Sequence, residues 1–146
     1  MSIKLGMNCK LYYCAAGIGG TPVWTELTNT KNASLGMQRG EADVTTRANN
    51  GWKASVGTLK DGNINWEMVW DPDDAGFTAI KDAYMNGTTI GLAVMDGDIL
   101  VAGTQGLWAD CSIIDFSRDE PLEEAVSVKV TAKPTYSVNA PQWVTI

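Results

Sequence analysis

The chain has 146 residues, 45% apolar and 19% charged, which suits one folded domain over 1–146 and excludes two full-sized cores or a disordered tail. A net charge of −6 argues against a general nucleic-acid binder. The absence of His removes Ser-His-Asp triads, Cys-His pairs and His-containing zinc sites, so catalysis is disfavoured and no cofactor is called for. The charge is uneven: residues 1–60 carry seven bases and three acids, residues 61–146 four bases and fourteen acids. Such a division allows the positive part of one copy to meet the negative part of the next.

In chain order, residues 1–10 form an N-terminal arm. Residues 10–16 (KLYYCAA) and 22–28 (PVWTELT) predict short strands around the turn GIGG, and 33–44 contains a further possible strand. Residues 45–62 predict a long loop or mobile hairpin, punctuated by Asn50-Gly51 and Asp61-Gly62. Residues 63–70 (NINWEMVW) alternate cleanly, with Ile64, Trp66, Met68 and Trp70 on one face. DPDD then opens a helix over 73–86, with Asp73 or Asp74 as cap, Phe77, Ile80 and Tyr84 as its apolar stripe and Gly87 as its stop. Strands follow at 88–96, 107–116 and 124–132, and residues 134–146 form an extended, sticky C-terminal tail. Both faces of 107–116 are partly apolar, which suggests a central or interface strand. The order predicts a mainly β fold, an antiparallel β-sandwich or barrel with one flanking α-helix.

No apolar run approaches 18 residues, so no transmembrane helix and no membrane insertion are expected. Cys9, Cys14 and Cys111 are odd in number and lack paired spacing, so small buried thiols are expected rather than disulfides or zinc. DPDDAG with Asp82 partly imitates a calcium loop, but Ala75 and Ala79 occupy ligand positions and helix capping is the better reading. GIGG precedes no helix and is a turn rather than a phosphate cradle. Asp96 and Asp98 flank Gly97 in a tight turn, and no partner makes them an acid/base pair. Of the six Trp, Trp66 and Trp70 read as core, whereas Trp24, Trp52 and Trp143 sit in loop or tail contexts and mark a protein interface or a sugar platform.

Residues 41–97 (EADVTTRANNGWKASVGTLKDGNINWEMVWDPDDAGFTAIKDAYMNGTTIGLAVMDG) resemble the major tail (tail tube) proteins of long-tailed bacteriophages. The resemblance lies in the D-V-T-T-R stretch, the G-W-K loop, the T-L-K-D-G turn, the Trp/Glu strand and the helix opening in D-P-D-D. DCSIIDFSRDEPLEEAV resembles the closing segment of that family, and the whole covers 22–132. The resemblance implies a structural virion protein whose hexameric rings stack helically into a hollow tube, with inner strands joined in one barrel and DNA passing through without specific binding. Tape-measure, tail-terminator and baseplate or tip proteins are the implied partners. The implied location is the virion tail, after folding and assembly in the host cytoplasm.

An acidic lumen would repel phosphate, and the candidates are Glu67, Asp96, Asp98, Asp110 and Asp115. Asp110 and Asp115 have opposite parity, so a regular strand cannot point both inward. The candidate inter-ring loop carries Arg47, Asn50, Trp52, Lys53 and Lys60. Tyr136, Trp143 and Val144 are candidate arm contacts, with the N-terminal arm and C-terminal tail lapping neighbouring subunits. The alternative is a carbohydrate- or cell-surface-binding β-sandwich module with Trp24, Trp52 or Trp143 as platform.

Overall fold

The computed structural model describes residues 3–146; residues 1 and 2 of the expected N-terminal arm lie outside the described residues. The strands are β1 (Lys10–Cys14), β2 (Thr25–Glu26), β3 (Thr30–Asp43), β4 (Ser55–Val69), β5 (Thr89–Met95), β6 (Gln105–Asp119), β7 (Ser127–Pro134) and β8 (Gln142–Thr145), with a helix α1 (Ala75–Asn86) between β4 and β5. All pairings are antiparallel and run in the order β2-β1-β5-β6-β7-β4-β3, with β8 added to β6.

The connection between β2 and β3 fixes the shape. These two strands end the sheet on opposite sides, yet only Leu27, Thr28 and Asn29 join them. That link reaches at most ~14 Å, whereas the edges of a flat seven-strand sheet lie about 29 Å apart. The sheet therefore curls until its edges approach, and its concave face becomes the core. Backbone bonds mark both ends of the crossing: Leu27 N–H donates to the Leu11 carbonyl at 2.9 Å and Val69 N–H to the Asn29 carbonyl at 3.1 Å.

The concave face holds the alternate residues of each strand. Ile64, Trp66 and Met68 come from β4, Val128, Val130 and Ala132 from β7, Leu107, Ala109 and Cys111 from β6, and Ile90 and Leu92 from β5, all buried. Helix α1 closes this core with Phe77, Ile80 and Ala83. Tyr84, expected in the same stripe, is largely exposed but stacks on Phe116. The Asp74 carboxylate accepts the Phe77 N–H at 2.9 Å, and Gly87 at φ +65° ends the helix with its N–H on the last turn's carbonyls. At Gly76 a Cβ would press on Leu27 and Tyr13, so the helix start lies directly against the β1–β2 side of the core.

Residues 45–62, expected as a long loop or hairpin, belong to a hairpin: 55–62 lie in β4, paired with β3, and only 44–54 remain as the connection. Three other expectations need correction. Asp61-Gly62 is mid-strand, with Gly62 opposite Met37. The strand expected at 107–116 runs from 105 to 119 and carries a bulge between Ile113 and Asp115. The tail does not extend freely, because β8 pairs with Gln105–Trp108 of its own chain.

Helix capping and core packing separate in magnitude. Asp74→Ala is expected to cost about 1 kcal/mol through the lost cap. Phe77→Ala is expected to cost about 3–5 kcal/mol through the cavity among Trp70, Phe116 and Ile80. Urea unfolding followed by Trp fluorescence measures both, and equal losses would contradict this division.

Candidate assembly surfaces

Strands β4, β7 and β6 together present one buried and one polar face. On β4, Asn63, Asn65 and Glu67 point away from the core, level with Lys129 and Thr131 of β7. Thr131 Oγ1 donates to Asn65 Oδ1 at 2.8 Å, and Lys133 reaches Asp61 at 3.4 Å. Asp115 pairs with Thr131 in the ladder and joins this face. The bulge at Ile114 makes that possible: it shifts the alternation of β6, so Phe116 turns to the core and Asp115 and Ser117 turn outward.

Among the described residues, two long strand edges carry no neighbour. β3 ends the strand order, and along its fourteen residues no described strand pairs with its outer side. On β6, β5 pairs only as far as Ser112, and β7 and β8 share the opposite side. From Ile113 to Asp119, β6 therefore carries no described strand on its β5 side. Ile114, on this stretch, is 55% exposed. β3 and β6 run in opposite directions, so the two free edges can pair antiparallel between copies.

The hairpin β3–β4 extends well past the core. Nearly every residue of 36–61 is exposed, and its tip holds Arg47, Asn50, Trp52 and Lys53, as the sequence suggested. Trp52 is 79% exposed. The tip is ordered by its own bonds: Asn49 Oδ1 accepts the Thr46 N–H at 2.6 Å, Thr45 Oγ1 accepts the Ala54 N–H at 2.8 Å, and Asn50 and Gly51 take φ of +53° and +84°. Hydrogen bonds from the Thr45 side chain, then its backbone N–H, hold the Asp43 carboxyl below its ordinary value of 3.8. This contribution is complete above that value and is lost as acid titrates the folded group through its lowered one. Lys60 is not at the tip; it stands on β4 opposite Arg39.

The expected lumenal acids divide. Glu67 and Asp115 lie on the polar face. Asp96 and Asp98 lie in the β5–β6 turn, where their carboxylates accept the Gln105 N–H at 3.0 Å and the Leu100 N–H at 2.9 Å. Asp110 is a correction: at 4% exposure it is buried and structural. Its carboxylate accepts the Ile18 N–H at 2.9 Å and the Ser137 hydroxyl at 2.8 Å, while its carbonyl accepts the Thr135 N–H at 2.8 Å. Asp110 thus ties the GIGG turn and the tail to the sheet. Gly17, at φ +88°, leaves room for it, since a Cβ there would stand 2.8 Å from Asp110 Oδ1.

The tail candidates are also held in place. Trp143 and Val144 pair with Leu107 and Gly106 of their own chain, while Trp143 and Tyr136 keep more than half of their surface exposed. Trp24 packs against Trp108 with ring centroids 5.1 Å apart and the planes tilted by 57°, and Trp143 Nε1 donates to Gln105 at 3.2 Å. Among the described residues no group of three His, Cys, Asp or Glu is placed to hold a metal. No helix among them is long and apolar enough to cross a membrane. Cys111 is buried, and burial, with Asp110 beside it, pushes its thiol up to about 12.

No protein-family profile matches the chain, and no curated protein matches it. Solved structures do share the fold. A chain in the tail of an empty gene transfer agent particle, refined with helical and C6 symmetry, superposes with TM-score 0.73 at 12% identity over 99% of both chains. A chain from the virion of the native gene transfer agent particle gives TM-score 0.76 at 12% identity, over 98% of this chain and 100% of that one. The SPP1 tail tube gives TM-score 0.75 at 15% identity, over 99% of this chain and 80% of that one. The chain therefore has a tail-tube-like fold.

Asp110→Ala is expected to lower stability by about 1–3 kcal/mol, because it orphans the Ile18 N–H and the Ser137 hydroxyl. Hydrogen exchange at Ile18 should accelerate. Unchanged exchange there would contradict the tie. Thiol titration of the native protein should find one fast group, Cys9, the only exposed cysteine, and three after denaturation.

Proposed function

We propose that this chain is a tail tube subunit: six copies close into a ring, rings stack head to tail, and the hollow tube conducts DNA during ejection. The observation that carries this reading is the pair of free strand edges, β3 and residues 113–119 of β6, on opposite sides of one polar-faced sheet. Pairing β3 of one copy with β6 of the next removes both edges at once, and repetition around an axis closes a barrel. The C6 symmetry of a tail with the same fold supports six as the repeat.

In such a barrel the polar face lines the lumen. Glu67, Asp61 and Asp115 stand among Lys129 and Lys133 there. Mixed charges without a basic surplus give passing phosphate little to hold, because tight DNA binding needs an excess of Lys and Arg. The tube needs no catalytic group. The exposed hairpin tip with Arg47, Trp52 and Lys53 serves ring-to-ring contact, a heterologous interface that grows a filament. The subunit resides in the virion tail after assembly in the host cytoplasm, with tape-measure, terminator and baseplate proteins as its further partners.

Negative-stain electron microscopy over a concentration series should show rings and hollow tubes for the wild type. Ile114→Lys puts a charge on the free β6 edge at an exposed position. It should block ring closure while changing subunit stability by less than about 0.5 kcal/mol. Tubes from this variant equal to wild type would remove β6 from the ring contact.

A further inference from the structure

Leu122 is fully exposed. It follows Pro121 in the β6–β7 connection and stands among Glu120, Glu123 and Glu124. A leucine held out in water beside a proline, with acidic residues on either side of it in the chain, contributes nothing to its own core.

The hairpin tip offers the complementary shape. Thr45, Thr46, Arg47, Gly51, Trp52 and Lys53 line a shallow cleft with an aromatic wall and two bases. Residues 44–54 contain no acid. The cleft is already formed, since the bonds of Thr45, Thr46 and Asn49 fix the tip, so little ordering cost falls on binding.

The two features cannot meet within one chain. β4 runs from the tip at Ser55 to Val69, a length of about 50 Å. Trp70 then bonds to Val126, so the 120–126 turn lies at the far end. Head-to-tail growth brings this end of one copy against the tip of another.

Resting on the stacking reading above, we infer that Leu122 of one copy inserts into the tip cleft of a copy in the adjacent ring. Its side chain packs on Trp52, and Glu123 and Glu124 face Arg47 and Lys53, while Glu120 stays paired with Arg118 of its own chain at 2.7 Å. Apolar contact supplies the affinity and charge supplies the register. Six such contacts act together in each ring junction, so a small loss at each becomes a large loss in stacking.

The test uses the full chain, with negative-stain microscopy and sedimentation to separate rings from tubes. Leu122→Ser and Trp52→Ala, both exposed positions, should leave rings intact and raise the concentration for tube growth by roughly tenfold or more. Lys53→Glu should do the same, and mixing charge reversals in one chain, Lys53→Glu with Glu123→Lys, should restore tubes. Tubes from Leu122→Ser at the wild-type concentration would overturn the docking and leave the tail tube reading standing. Wild-type protein that forms neither rings nor tubes at any concentration would overturn the tail tube reading and the docking with it.

Discussion

Three residues between β2 and β3 constrain everything else. Because Leu27, Thr28 and Asn29 must join the two outermost strands, the sheet cannot lie flat. Curling sorts each strand's alternation into a concave apolar face and a convex one. The concave face needs only one helix to finish it, and α1 supplies Phe77 and Ile80. β6 is the strand that makes the curl workable. Its first half serves β5 and β8, its second half serves β7, and the bulge at Ile114 re-aims it between the two.

Much of this was legible where burial writes a period into the sequence. Ile64, Trp66 and Met68 announced β4, and the Asp74 cap, the Phe77–Ile80 pair and the Gly87 stop bounded α1 closely. The outer hairpin left no such trace. Residues 36–61 are solvated on both faces, so their strands are set by backbone pairing, which leaves no hydrophobic pattern. Asp61-Gly62 carried turn chemistry in the middle of a strand. The length of β3 was hidden for the same reason.

The candidate site shows the same division. Arg47, Asn50, Trp52 and Lys53 could be placed in an exposed connection because a turn signal and an aromatic coincide in nearby positions. Glu67 could be placed opposite the core because it alternates with core residues. Asp110 was misread because its partners lie far off in sequence, Ile18 at a separation of 92 residues and Ser137 at 27. Asp115 reaches the polar face only through a bulge, and a bulge is set by two strands together rather than by either one. The tail's docking strand was hidden because Gln105–Trp108 gives no sign of an open side until β7 is seen to stop at Pro134.

β4 has a mechanical consequence. It is one unbroken strand from the hairpin tip to the opposite end, laddered to β3 on one side and, over its second half, to β7 on the other. A pull along its axis loads those hydrogen bonds side by side in shear, so many must yield together before the strand slides. The same bonds pulled from the side would open one after another, like a zip. The fold is thus stiff along the direction in which its strands run and compliant across it, and an object made by joining such sheets edge to edge would bend more readily than it stretches.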